Sequence, residues 1–272
     1  MKRILVFLIL TAGLVYACST VRVTGRKQFN MVPNSQIFPA SFAQYRQFLQ
    51  EHPVSKNKAQ QERIRNIGRR LVKATEMYYK SKGWEKDLQG YKWEFNLVAD
   101  SVMNAFCMPG GKVVYFEGLL QVTTTDGEIA AVMGHEIAHA LANHGAERMS
   151  QMYAQNIGAI LTLLATANAP KEEQQKWLAI YGYGSTLGVI LPYSRKHEAE
   201  ADKIGQILMA IAGYDPYSAA RVWEKMGKMS GPEPPEFLST HPAHARRLNN
   251  LRKWAPDALR IAKSFGITPT IK

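Results

Sequence analysis

TTTDGEIAAVMGHEIAHALANHGAERMS, residues 123–150, decides the fold, because it reads as a capped helix with two histidines one turn apart. Thr125 or Asp126 supplies the N-cap and Glu128 the acid of the first turn, while Ile129, Val132, Met133, Ile137, Ala140 and Leu141 recur at helical spacing. Within it, HEIAH sets His135 and His139 four residues apart. Such residues lie about 40° apart around a helix axis, so both imidazoles reach one tetrahedral metal ion. Glu136 is rotated off the ligand line, where a general base contacts a water molecule without occupying the metal. Two histidines and a glutamate facing an apolar interior without coordination or pairing would be costly. The expected cofactor is one zinc ion per chain, supplying a Lewis acid and a nucleophile at neutral pH.

A catalytic zinc needs a third protein ligand and an open fourth position. The stretch HEAEADKIG, residues 197–205, offers both a ligand and its support. Glu198 and Asp202 are four apart and share a helix face, with Glu200 turned roughly the opposite way. Glu198 is the expected metal ligand. Asp202 is the expected acceptor for the second ring nitrogen of a ligating histidine, fixing its tautomer. His197 and Glu200 are the competing ligands.

These residues resemble the gluzincin metallopeptidases of peptidase family forty-eight, relatives of HtpX, BepA and the CAAX prenyl proteases. HEIAHALANH is similar to the family's metal helix, and HEAEADKIG to its Glu-x-x-x-Asp helix. NAFCMPGGKVVYFEGLL, residues 104–120, resembles the strand and turn before the metal helix, with Asn104, Ala105, Phe106, Pro109, Gly110 and Gly111 in corresponding places. STHPAHARRL resembles the family's His-Pro motif, and TGRKQFN is similar to the secreted lipoprotein branch. Cys107 departs from the small or aliphatic residue expected there. The resemblance implies a mainly helical α+β zincin of the minigluzincin type, with a small antiparallel sheet packed on the metal-binding helix. It also implies that His241 approaches the metal, either stabilising an oxyanion or occupying the open position in a latent state. Arg247, with Arg246 as the alternative, is then the charged group that stabilises the tetrahedral oxygen or positions the substrate carbonyl. His241 and His244 also stand before a helix, where either serves as a cap.

KVVYF, residues 112–116, follows a Pro-Gly-Gly turn and alternates as a strand does. Either it is a sheet edge that pairs with an extended peptide, or it is a covered core strand. His144 and Arg148 continue the metal helix as packing residues, and His52 reads as exposed.

Lys2 and Arg3 precede the apolar run 4–15, and VYAC, residues 15–18, resembles a bacterial lipobox. The expected organisation is a lipoprotein signal peptide over 1–17, a lead and linker over 18–55 and the peptidase domain over 56–272, with Cys18 lipidated. An uncleaved anchor is the alternative. Ser19 after the cysteine favours, by analogy with lipoprotein sorting, an outer-membrane protein facing the periplasm. Cys107 then has no intramolecular partner, so no disulfide supports the fold. The 255 residues after position 17 are enough for one substantial core. The formal charge of +12 falls to +10 without Lys2 and Arg3. That balance suits anionic headgroups or acidic substrates, and no aromatic-basic motif points to nucleic acid.

Residues 40–50 and 56–79 read as helices and 91–98 as a strand. The apolar segments 157–167 and 177–191, joined by KEEQQK, read as a helical hairpin beside the cleft, either packed in the core or serving as a lid or membrane-dipping element; both are too short and Gly-interrupted for a confident membrane span. The carboxy-terminal third reads as helical, broken by SGPEPPE. The function expected is zinc-dependent endopeptidase action on misfolded or mistargeted envelope proteins, bound unfolded or extended. The alternative is an envelope chaperone or assembly scaffold using the same cleft with little proteolysis.

Overall fold

The computed structural model describes residues 18–186, 190–229, 236–242 and 245–271. The expected signal peptide, His244 and most of SGPEPPE lie outside the described residues. The chain forms two compact units, one of Met1–Pro33 with Asn143–Glu198 and the other of Asn34–Ala142 with Ala199–Lys272.

The second unit starts with helix α1, Asn34–Glu51, and helix α2, Lys58–Ser81, whose N-cap Asn57 accepts from the Gln60 amide. Helix α1 begins earlier than expected and carries Pro39 inside it. Strands β3 (Glu94–Val98), β4 (Ala105–Met108) and β5 (Lys112–Phe116) form a sheet in the order β3-β5-β4. The pair β4–β5 is antiparallel, as expected, and turns through Gly110 and Gly111 at φ of 83° and 91°, a region glycine enters without cost. β3 joins β5 in parallel, so the sheet is mixed. The chain leaves β3, runs to the far edge as β4, and only then turns back to fill the centre. KVVYF is therefore the central strand: Val114 and Tyr115 are both 0 % exposed. The covered-strand alternative holds, and the edges belong to β3 and β4.

Helix α3, Asp126–Leu141, carries the histidine pair. A capping box starts it: Glu128 N–H donates to Thr125 Oγ1 (3.3 Å) and Thr125 N–H to Glu128 Oε2 (3.1 Å). Lys225 forms an ion pair with the same carboxylate. Burial alone would raise the Glu128 pKa, but Lys225 and the amide donors outweigh it and hold the group below its ordinary value. Helix α3 is buried along most of its length and packs on α2, β4 and the later helix α7, Tyr217–Lys228. It ends at Leu141, and Asn143 adopts left-handed φ of 53°, which asparagine tolerates better than most residues. His144 and Arg148 consequently open a new helix instead of continuing the metal helix.

Helix α6, Leu191–Ile211, runs through both units. Its second half crosses α3 at a pair of glycines: a Cβ on Gly205 would stand 2.8 Å from His135 N and 2.9 Å from Gly134 C. The short helix α8, Glu236–Thr240, and helix α9, Ala245–Ser264, complete this unit, with α9 against α7. His52, expected to be exposed, is half-buried and stacks on Phe48 with ring centroids 4.3 Å apart.

In the first unit, β1 (Cys18–Thr20) pairs antiparallel with β2 (Lys27–Phe29), and helices α4 (His144–Ala165) and α5 (Lys171–Ser185) form the expected hairpin. Its apolar residues are not in a core. Ile157, Ile160, Leu161, Leu164, Trp177 and Tyr183 are exposed, and α5 buries no residue. The two helices contact chiefly each other, as where Tyr181 donates to the Gln155 carbonyl. Among the described residues no helix is long and apolar enough to cross a membrane.

Thr125→Ala removes the cap of the metal helix and is expected to cost about 1 kcal/mol, read as a lowered melting temperature. Gly205→Ala forces α6 away from α3 and is expected to cost about 1–3 kcal/mol by overpacking, measured by denaturant unfolding.

Candidate metal centre

The end of α3 and the His-Pro turn bring three imidazoles together. His135 Nε2 lies 3.1 Å from His139 Nε2 and 3.2 Å from His241 Nδ1. A ligand nitrogen from each falls within 4.8 Å of the others. Glu136 is buried beside them, with Oε1 3.5 Å from His241 Nε2.

Behind His135 stands a buried relay. Its Nδ1 is 2.9 Å from Asp202 Oδ1, and Asp202 is gripped as a fork by Arg247, with Nη2 donating to Oδ1 (2.7 Å) and Nε to Oδ2 (2.8 Å). Burial alone would raise the Asp202 pKa; the Arg247 charge and the His135 hydrogen bond outweigh it and keep the carboxyl below its ordinary value. An ionised Asp202 accepts the Nδ1 proton, so His135 Nε2 presents its lone pair to the cluster. Asp202 therefore meets His135 at the ring nitrogen turned away from the other two imidazoles.

Arg247 is 4 % exposed and its guanidinium lies 3.4 Å from the centroid of the Trp223 ring. Its Nη1 donates to the backbone carbonyls of His241 (3.1 Å) and Pro242 (3.3 Å), tying the His-Pro turn to the relay. Arg246 is exposed, which separates two arginines that the sequence left as alternatives. Trp223 and Phe237 stack on one another and both rings meet His135 edge-on, a wall that no local motif announced.

Glu198 sits one helical turn before Asp202 on α6, hence on the same face of that helix. His197, a competing ligand, is instead committed to Glu147, 2.8 Å from its Nε2. Glu200 is buried on the opposite face. On β4, desolvation and then the Glu136 charge push the Cys107 thiol well above its ordinary value, so it stays neutral.

The donor set fits zinc. Imidazole nitrogens are borderline donors suited to it, and His135 has its tautomer fixed from behind in the way ligating histidines are held. His135 and His139 offer such nitrogens side by side, with His241 within reach of both.

A family model described as Peptidase family M48 matches residues 58–255. The mitochondrial metalloendopeptidase OMA1 of Arabidopsis thaliana is 42% identical over 161 residues, covering 59% of this chain and 31% of that protein. OMA1 of Saccharomyces cerevisiae is 36% identical over 221 residues, 78% of this chain and 59% of its own. The beta-barrel assembly-enhancing protease of Escherichia coli K12 is 30% identical over 172 residues, 60% of this chain and 34% of its own. The chain thus spans between 31% and 59% of the length of these relatives. With a metal helix, a Glu-x-x-x-Asp helix and a family match running through both, the chain belongs to peptidase family M48.

Proposed function

We propose that this chain is a zinc-dependent endopeptidase that hydrolyses peptide bonds in misfolded or mistargeted cell-envelope proteins. The observation that carries this reading is the convergence of three imidazoles beside the buried carboxylate of Glu136. Membership in a peptidase family, with relatives named as proteases, supports it.

His135, His139 and Glu198 would hold the ion. Bound zinc supplies a Lewis acid and makes water nucleophilic near neutral pH. Glu136 takes the proton of the attacking water and returns it to the leaving amine. Asp202 keeps His135 in the ligating tautomer, and Arg247 holds Asp202 and the His241 turn together, acting on the substrate carbonyl through His241. The β4 edge offers backbone groups to an extended peptide, a mode of binding that tolerates many sequences.

A second reading concerns His241. With its Nδ1 3.2 Å from His135 Nε2, it is close enough to join His135 and His139 on an ion they would hold, which favours a latent state with the substrate position closed. Swung away, the same imidazole would donate to the developing oxyanion. A scaffold that only holds clients would have no use for Glu136 in its buried position.

The location we propose is the periplasmic face of the outer membrane, through lipid on Cys18. The support is the lipobox-like VYAC and a relative named for β-barrel assembly.

The test is zinc content and casein cleavage of the purified chain. Glu136→Gln is expected to keep its zinc and lose at least about 100-fold in cleavage rate; bound zinc with no cleavage in either protein moves the reading to latency or scaffolding. His241→Ala is expected to raise cleavage, and a fall instead assigns the residue to oxyanion stabilisation.

A further inference from the structure

The first unit buries a second polar cluster that neither ligation nor catalysis uses. Glu147, in the first turn of α4, is fully buried, and its carboxylate is gripped from two sides. Arg26 of the amino-terminal lead meets it as a fork, with Nη1 to Oε1 at 2.9 Å and Nη2 to Oε2 at 2.7 Å. His197 of α6 approaches Oε2 with Nε2 at 2.8 Å. His144 stacks on His197, ring centroids 4.2 Å apart and planes 15° from parallel. Burial alone would raise the Glu147 pKa; hydrogen bonds from His197 and Arg26 outweigh it and hold the carboxyl at about 2. The lead has a second attachment: the Met31 amide donates to Ser150 Oγ at 2.9 Å.

The cluster bears on helix α6 at the residue next to Glu198. His197 directly precedes Glu198, and successive helix residues point about 100° apart, so a clamp on one sets the rotation of the other about the α6 axis. A carboxylate about 6 Å from that axis swings about 1 Å for every 10° of rotation. Ligand sites tolerate misplacement of only about 0.5 Å. One turn further on, Asp202 holds the same helix through Arg247 and His135. Glu198 therefore directly follows a clamped residue, and that clamp reaches back to Arg26.

We propose that Arg26, Glu147 and His197 are positioning residues that set the orientation of Glu198, so that a contact of the amino-terminal lead tunes zinc affinity. The inference rests on Glu198 as a zinc ligand.

The experiment is a zinc dissociation constant for the full chain, by competition with a chromophoric chelator, beside the melting temperature of the metal-free protein. Arg26→Ala and Glu147→Gln are expected to weaken zinc binding about 10- to 100-fold, the range for outer partners of metal ligands. Arg26→Lys, which keeps the charge but loses the fork, falls between. His197→Gln, whose side-chain amide still donates to Glu147, is expected to restore much of what His197→Ala loses. A merely structural pin would lower the metal-free melting temperature and leave the zinc constant unchanged in all these variants, and that result overturns the proposal. Should Arg26→Ala fail to fold, Glu147→Gln carries the same comparison with its shape preserved. Glu198→Ala is the control: unchanged zinc affinity there removes the ligand assignment itself, whereas a loss there with none in the Arg26 and Glu147 variants removes only the positioning role.

Discussion

One buried carboxylate organises the metal centre: Asp202 accepts from His135 and from the fork of Arg247 at once. Neither charge would be tolerated there alone, because an unpaired buried ion costs several kcal/mol. Each therefore requires the other, and the pair requires α3, α6 and α9 to stay in place. The glycines at the crossing of α3 and α6 make this reach feasible, since a methyl group on Gly205 would push the Asp202 helix off the histidine helix. Stability and ligand orientation share one set of contacts.

Much of the centre was legible in the sequence because its logic is local. A capped helix with an i, i+4 histidine pair, and a second helix with an i, i+4 carboxylate pair, depend only on helix geometry and need no knowledge of what packs where. The N-cap at Thr125, with Glu128 in the first turn, belongs to that class. The central position of KVVYF did not, since strand order depends on where the chain goes after β3. The hairpin α4–α5 misled for a related reason: composition says that Ile157, Leu161 and Trp177 are apolar, but not whether anything covers them. The cluster at Glu147 was invisible because its partners lie 121 and 50 residues away in sequence.

The choice between Arg246 and Arg247 shows where such reading stops. Both sit in the same stretch after the His-Pro motif, and only the helix phase of α9 decides that Arg247 turns inward over Trp223 while Arg246 faces solvent. A buried guanidinium between an aromatic face, a carboxylate and two backbone carbonyls has most of its donors committed, which makes it a brace for the site.

The end of α3 at Leu141 has an electrostatic meaning of its own. His135 and His139 occupy the last two turns of a helix that closes two residues after His139. Peptide dipoles aligned along a helix leave roughly half a negative charge at its carboxyl end. The ligand pair thus sits where the backbone itself favours a cation, and the left-handed break at Asn143 keeps that negative end beside the histidines. A helix continuing through His144 and Arg148 would have carried it several turns away.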